Sequence, residues 1–128
     1  MDNSVGAGND RLLDERVINN LRLLTAAEPN FLSELIDIYI VDTLQFLAAI
    51  RMAITAHNVP WLRQSIHTLK GSSASIGART IVSLCHELEV LSDPDCMAAA
   101  SEILQRIEDE YKRVRCALEA ECRNRQAL

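Results

Sequence analysis

The chain has 128 residues, one domain's worth on the usual scale of roughly 100–200 residues per domain. Hydrophobic residues at 48% with 24% charged exclude a disordered chain, and 4% aromatics with only four glycines and three prolines exclude a β-sandwich or barrel. The net charge of −5 excludes a nucleic-acid binder that works by neutralising phosphates.

Residues 1–10 (MDNSVGAGND) are small and polar, hold two of the four glycines, and read as a flexible tail or linker. Met1-Asp2-Asn3 opens without a basic and apolar leader, so no secretory signal is expected. No uninterrupted apolar run approaches the ~18 residues of a membrane span. From residue 11 to 125 the apolar period is helical, which predicts one all-α domain. A short first helix carries the stripe Leu13, Val17, Leu21 and Leu24. Pro29 restarts the chain, and Leu32, Ile36, Tyr39, Thr43, Leu47, Ile50 and Ile54 form a long second stripe with Glu34, Asp37, Asp42 and Gln45 opposite. His57-Asn58-Val59-Pro60 ends this helix and starts a third, with Asn58 as cap and His57 as a favourable partner for the helix dipole.

The third helix buries Leu62, Ile66, Leu69, Ser73 and Ile76, and Gly77 either closes it or lets a neighbour pack closely. A fourth follows with Ile81, Leu84, Cys85, Leu88 and Leu91. Asp93-Pro94 pairs a cap with a proline in the first turn of the last helix, whose stripe is Met97, Ala100, Leu104, Ile107, Tyr111, Val114 and Leu118. Short connections between four substantial helices predict an antiparallel four-helix bundle with an additional short N-terminal helix.

Charge is unevenly placed. No carboxylate lies between Asp42 and Glu87, while Arg51, Arg63, Lys70 and Arg79 do, so that stretch carries +4 and the remainder −9. Burial excludes carboxylates too, so the asymmetry suits either a packed segment or a surface that meets an anion. Cys85, Cys96, Cys116 and Cys122 contain no CxxC pair and match no common zinc spacing. They read as reduced, partly buried thiols of a cytosolic protein. His86 reads as a surface residue, and Arg113, Arg115, Arg123 and Arg125 as solvation of the last helix and its tail.

Gly71 breaks the pattern. It falls inside the third helix, where glycine costs about 0.5–1 kcal/mol relative to alanine. It stands four residues after His67, with Lys70 three residues after the same histidine. Ile66 and Leu69 face the core, so His67 is rotated roughly 100° from Ile66, toward solvent. A neutral imidazole is a nucleophile near pH 7, a nearby ammonium offsets an added phosphoryl charge, and a missing side chain admits another protein's active site. Ser72, Ser73 and Ala74 are also small, which keeps the neighbouring surface flat. The spacing alone equally suits a surface histidine beside an ordinary lysine, with Gly71 packed against another helix.

Residues 67–78, HTLKGSSASIGA, closely resemble the phosphoacceptor motif of histidine-containing phosphotransfer (HPt) domains, H-x-L-K-G-S-x-x-x-x-G-A. Leu84, Cys85, Leu88 and Glu89 resemble its L-x-x-x-C-x-x-L-E continuation, and FLSELIDIYIVDTLQFLAAIRMAI resembles the long helix before it. Ile66 stands where alanine is common and Ile76 where leucine is, neither on the reactive face. The resemblance spans roughly residues 12–118 and implies that His67 carries the phosphoryl group on Nε2, that Lys70 steadies it and that Gly71 gives the partner access. It implies shuttling between aspartates of response-regulator receiver domains in a two-component phosphorelay, as a free-standing protein or as the C-terminal domain of a hybrid sensor histidine kinase. Receiver pockets in such relays are acidic and hold Mg²⁺, which suits the acid-free stretch; this chain would need no cofactor of its own. Arg63 and Gln64, one turn before His67, border the docking face or are plain solvated surface. Ser72 and Ala74 belong to that face by size, and Arg79 contacts an acidic partner or caps a helix. The resemblance implies a cytoplasmic phosphocarrier rather than an enzyme, touching neither nucleic acid nor lipid. No glycine-rich nucleotide loop supports a kinase, and no carboxylate cluster accompanies His67 as a general base. The alternative is a non-phosphorylated helical adaptor docking a kinase or receiver, although such relatives generally lack the histidine.

Overall fold

The computed structural model describes residues 12–28 and 30–127, with side chains described through residue 124; the expected N-terminal tail, Pro29 and the Arg125 side chain lie outside the described residues. The helices are α1 (Glu15–Leu24), α2 (Phe31–Thr55), α3 (Val59–Ile76), α4 (Arg79–Val90) and α5 (Met97–Ala127), with a 3₁₀ turn, Pro94–Cys96, leading into the last. Contacts run α2–α3–α4–α5 and back to α2, closing a four-helix ring, and α1 packs beside α3. Among the described residues there is no strand.

Local sequence explains the boundaries. The Asp14 carboxylate accepts from the Arg16 amide at 3.0 Å to start α1, and the Asn58 side chain accepts from the Trp61 amide at 3.1 Å to start α3, with Pro60 in the first turn. His57 takes a left-handed φ of 54° just past α2, its Nδ1 3.4 Å from the Thr55 carbonyl oxygen. Gly77 serves both expected purposes. It ends α3 in the left-handed region at φ 81°, and a Cβ there would meet Val17 Cβ at 3.2 Å and the Asp14 carbonyl oxygen at 3.3 Å. The Asp14 amide donates to the Gly77 carbonyl at 2.7 Å, which fastens the start of α1 to the α3–α4 turn. Asp93 caps the 3₁₀ turn rather than α5 itself, its side chain accepting from the Asp95 amide.

The expected stripes of α2, α3 and α5 are buried, with Ile36, Ile50, Leu62, Ile66, Leu69, Leu104, Ile107 and Leu118 almost fully enclosed. In α4, Leu91 is only partly buried because it caps the helix end. The stripe of α1 needs correction. Leu13 precedes the helix and Leu24 is 81% exposed, while Ile18 is fully buried. The helix begins at Glu15, so its inward face centres on Ile18, and Leu24, six residues on, is rotated to the far side.

Phe31–Thr55 is long enough and, at a mean hydropathy of 1.4 over its most apolar 18-residue window, apolar enough to cross a membrane by length and composition alone. Polar residues interrupt that window, which is why no continuous apolar run is visible in the sequence. Its inner face nevertheless forms one wall of the bundle core.

An ion pair invisible in the sequence joins the ends of the chain. Arg22 Nε and Nη2 donate to the two carboxylate oxygens of Glu121 at 2.5 and 2.6 Å, and Glu121 is 8% exposed. Arg22→Met is expected to lower unfolding stability by about 1–2 kcal/mol, because it leaves a nearly buried carboxylate unpaired. Urea unfolding checks this, and the double variant with Glu121→Leu should recover part of the loss.

Candidate functional site

The site is built on the middle of α3 and faced by α4. Burial of Ile66 and Leu69 fixes the rotation of α3, and His67 is thereby turned to solvent, as the periodicity predicts. His67, Lys70, Gly71 and Ala74 line one side of a shallow open groove of about 500 Å³, and Val82, Ser83 and His86 of α4 line the other. A Cβ placed on Gly71 would meet nothing within 4 Å. The glycine therefore does not make room for a neighbouring helix; it leaves open space beside the imidazole.

Lys70 has a partner. Its Nζ donates to Glu89 Oε1 at 2.7 Å, and the two side chains are 30% and 29% exposed. His86 Nδ1 lies 3.7 Å from the same oxygen. Glu89 has no role in the sequence reading beyond its place in a motif, and His86, a surface residue as expected with its side chain 74% exposed, also faces this groove. Val82, His86 and Glu89 recur at steps of four and three on α4, a face signal in the sequence, but its direction was unknown until α4 was seen against α3.

The remaining expected site residues separate. Arg63 is exposed and its Nη2 donates to the Ser92 carbonyl at 2.9 Å, and Gln64 is exposed one turn before His67; neither lines the groove. Ser72 hydrogen-bonds back to the Leu69 carbonyl and lines a different groove, with Leu35, Ile38 and Tyr39 of α2. Arg79 opens α4 and lines an adjoining depression with Asp14, Val17 and Gly77, which shares Ala74, Val82 and Ser83 with the groove of His67.

The acid-free stretch is not a free cationic surface. Glu89 pairs with Lys70, and Glu108 of α5 accepts from Arg51 at 2.6 Å. Carboxylates distant in sequence return because α4 and α5 close the ring against α3 and α2. Cys85 is not a reactive group: it is fully buried, and burial pushes its thiol up to about 12. On the core side of α3, Tyr39 Oη and Ser73 Oγ are 2.8 Å apart in a buried hydrogen bond that joins α2 to α3. Among the described residues, no three His, Cys, Asp or Glu side chains gather in a way that could hold a metal ion.

This geometry offers a solvent-facing imidazole, a cation one turn away and a gap for a partner. A protein-family model described as the Hpt domain matches residues 34–117. Histidine-containing phosphotransfer protein 2 of Arabidopsis thaliana is 26% identical over 110 residues, covering 84% of this chain and 70% of the relative. Histidine-containing phosphotransfer protein 1 of the same plant is also 26% identical over 110 residues, covering 84% of this chain and 71% of the relative. Among solved structures, histidine-containing phosphotransfer protein B from Pseudomonas aeruginosa superposes with a TM-score of 0.78 at 27% identity, covering 88% of this chain and 96% of that one. The structure titled as a putative histidine-containing phosphotransfer protein from rice, at 22% identity and a TM-score of 0.81 over 91% of this chain and 83% of that one, shares the fold.

Proposed function

The chain belongs to the Hpt domain family, whose work is histidine phosphotransfer in phosphorelays, and we propose that His67 is the residue that carries the phosphoryl group between aspartates of receiver domains. The observation that carries this reading is the open space at Gly71 beside an exposed imidazole and Lys70. Hpt proteins are phosphocarriers, and the division of labour at this site follows from what the chain provides.

In the accepting direction, the Nε2 lone pair of His67 attacks the phosphorus of a receiver aspartyl phosphate. The N–P bond forms, the acyl O–P bond breaks, and its electron pair leaves with the aspartate carboxylate; Nδ1 keeps its proton throughout. Donation runs the same step in reverse, with a receiver carboxylate as nucleophile. Lys70 offsets the transferred charge of about −1.5 to −2. Its flexible ammonium can do so without a rigid fork. Gly71 lets the receiver pocket close over the imidazole. A Mg²⁺ ion held by the receiver would supply charge neutralisation at the phosphoryl oxygens. Ala74 lines the groove beside the imidazole, Arg63, Gln64 and Arg79 surround it at greater distance and are assigned to the docking rim, and Ser72, turned to the α2 groove, stands outside it. A cytoplasmic site of action, reached by receiver domains or a hybrid sensor kinase, completes this reading.

Incubation with a phosphorylated receiver tests it. The chain should acquire label that is acid-labile and base-stable, and peptide mapping should place that label on His67. Label on another residue, or no transfer to or from any cognate receiver, would overturn the assignment.

A further inference from the structure

Resting on the assignment of His67 as acceptor, we propose that Glu89 and His86 are positioning residues that set how strongly Lys70 holds the phosphoryl group. The Lys70 ammonium and the His86 imidazole, from different helices, converge on one carboxylate oxygen. Lys70 Nζ is 2.7 Å from Glu89 Oε1, and His86 Nδ1 is 3.7 Å from the same atom. His67, Lys70 and His86 also line one groove, and Glu89 bears on it through its contact with the Lys70 ammonium. Lys70 and Glu89 are each about two-thirds covered, which makes their attraction less screened than that of a solvated surface pair.

The consequence is a competition. Without phosphate, Glu89 neutralises Lys70. A phosphoryl group on His67 brings a charge of about −1.5 to −2 to the same ammonium. The ammonium has three donors and can serve both anions, but the carboxylate weakens the lysine's hold on the phosphoryl group. His86 acts on the other side of the balance: its Nδ1, 3.7 Å from Glu89 Oε1, is close enough for an Nδ1–H to compete with Lys70 for the carboxylate after a small side-chain rotation. A carrier must both accept and surrender its cargo, and a partly occupied lysine keeps the phosphohistidine from becoming a sink. Neither Glu89 nor His86 makes or breaks a bond in this scheme.

The test is the equilibrium of phosphoryl groups between this chain and a receiver, measured for intact variants. Glu89→Gln is expected to raise the equilibrium constant for phosphohistidine about threefold, the scale of a partly exposed charge pair. His86→Gln is expected to lower it about twofold. Both shifts should vanish in a Lys70→Ala background, the signature of action through the lysine, while melting temperatures stay close to that of the parent. An unchanged or lowered constant for Glu89→Gln, shifts of one sign for both variants, or shifts that persist without Lys70 would overturn the proposal. Failure of the wild-type chain to take label on His67 would instead overturn the reading beneath it, so the two failures are distinct.

Discussion

Replacing His67 by glutamine is expected to reduce phosphoryl acceptance below detection while leaving the fold intact. The amide nitrogen of glutamine has its lone pair delocalised into the carbonyl and cannot form the N–P bond that imidazole forms. The structural cost is small because the side chain is exposed on α3 and lies outside the core that Ile66 and Leu69 build on the opposite side. Exposed substitutions of this kind change stability by no more than about 0.5 kcal/mol. Circular dichroism and urea unfolding should therefore match the parent, and single-turnover transfer from a phosphorylated receiver should show none. Residual acid-labile label at the parental level would mean that another imidazole, His57 or His86, is the acceptor.

Gly71→Gln should separate stability from function in the opposite sense. Glycine in a helix interior costs about 0.5–1 kcal/mol relative to better helix formers. A Cβ at position 71 meets nothing within 4 Å, so no steric penalty offsets the gain. The variant should unfold at slightly higher urea concentration than the parent. Its transfer rate should fall about 100-fold, because the added side chain projects into the groove one turn from His67, and small displacements of reacting groups carry losses of that size. Gly71→Ala should keep the stability gain with a milder kinetic loss. Stopped-flow or quench-flow transfer together with equilibrium unfolding reads both quantities. Parallel loss of fold and transfer would show that the glycine serves packing after all, and unimpaired transfer would remove it from the docking surface.

How much of this was legible from residues alone differs from element to element. The stripes of α2, α3 and α5 could be read residue by residue, because a 3.6-residue period repeated over many turns leaves little freedom in the buried face. The cap at Asn58 and the stop at Gly77 were equally legible, since each acts within a few residues of itself, whereas Asp93, expected to cap α5, caps the 3₁₀ turn before it. The first helix was misread at Leu24 because two or three turns fit more than one phase, and the helix begins later than its first leucines.

His67, Lys70 and Gly71 lie within five consecutive residues of one helix, so local geometry alone brought them to one face. The sequence by itself therefore determined the all-helical class, most of the core and the placing of this triplet on one helix face. What only the tertiary structure decided is what stands across from that triplet. The rotation of α4 against α3 places His86 in the groove and Glu89 on Lys70. The same packing leaves empty space at Gly71, and the closing of the ring brings Glu108 to Arg51 and Glu121 to Arg22. These relations join residues between 19 and 99 positions apart. They depend on how whole helices are turned and stacked, a choice made by the summed burial of the core rather than by any local pattern.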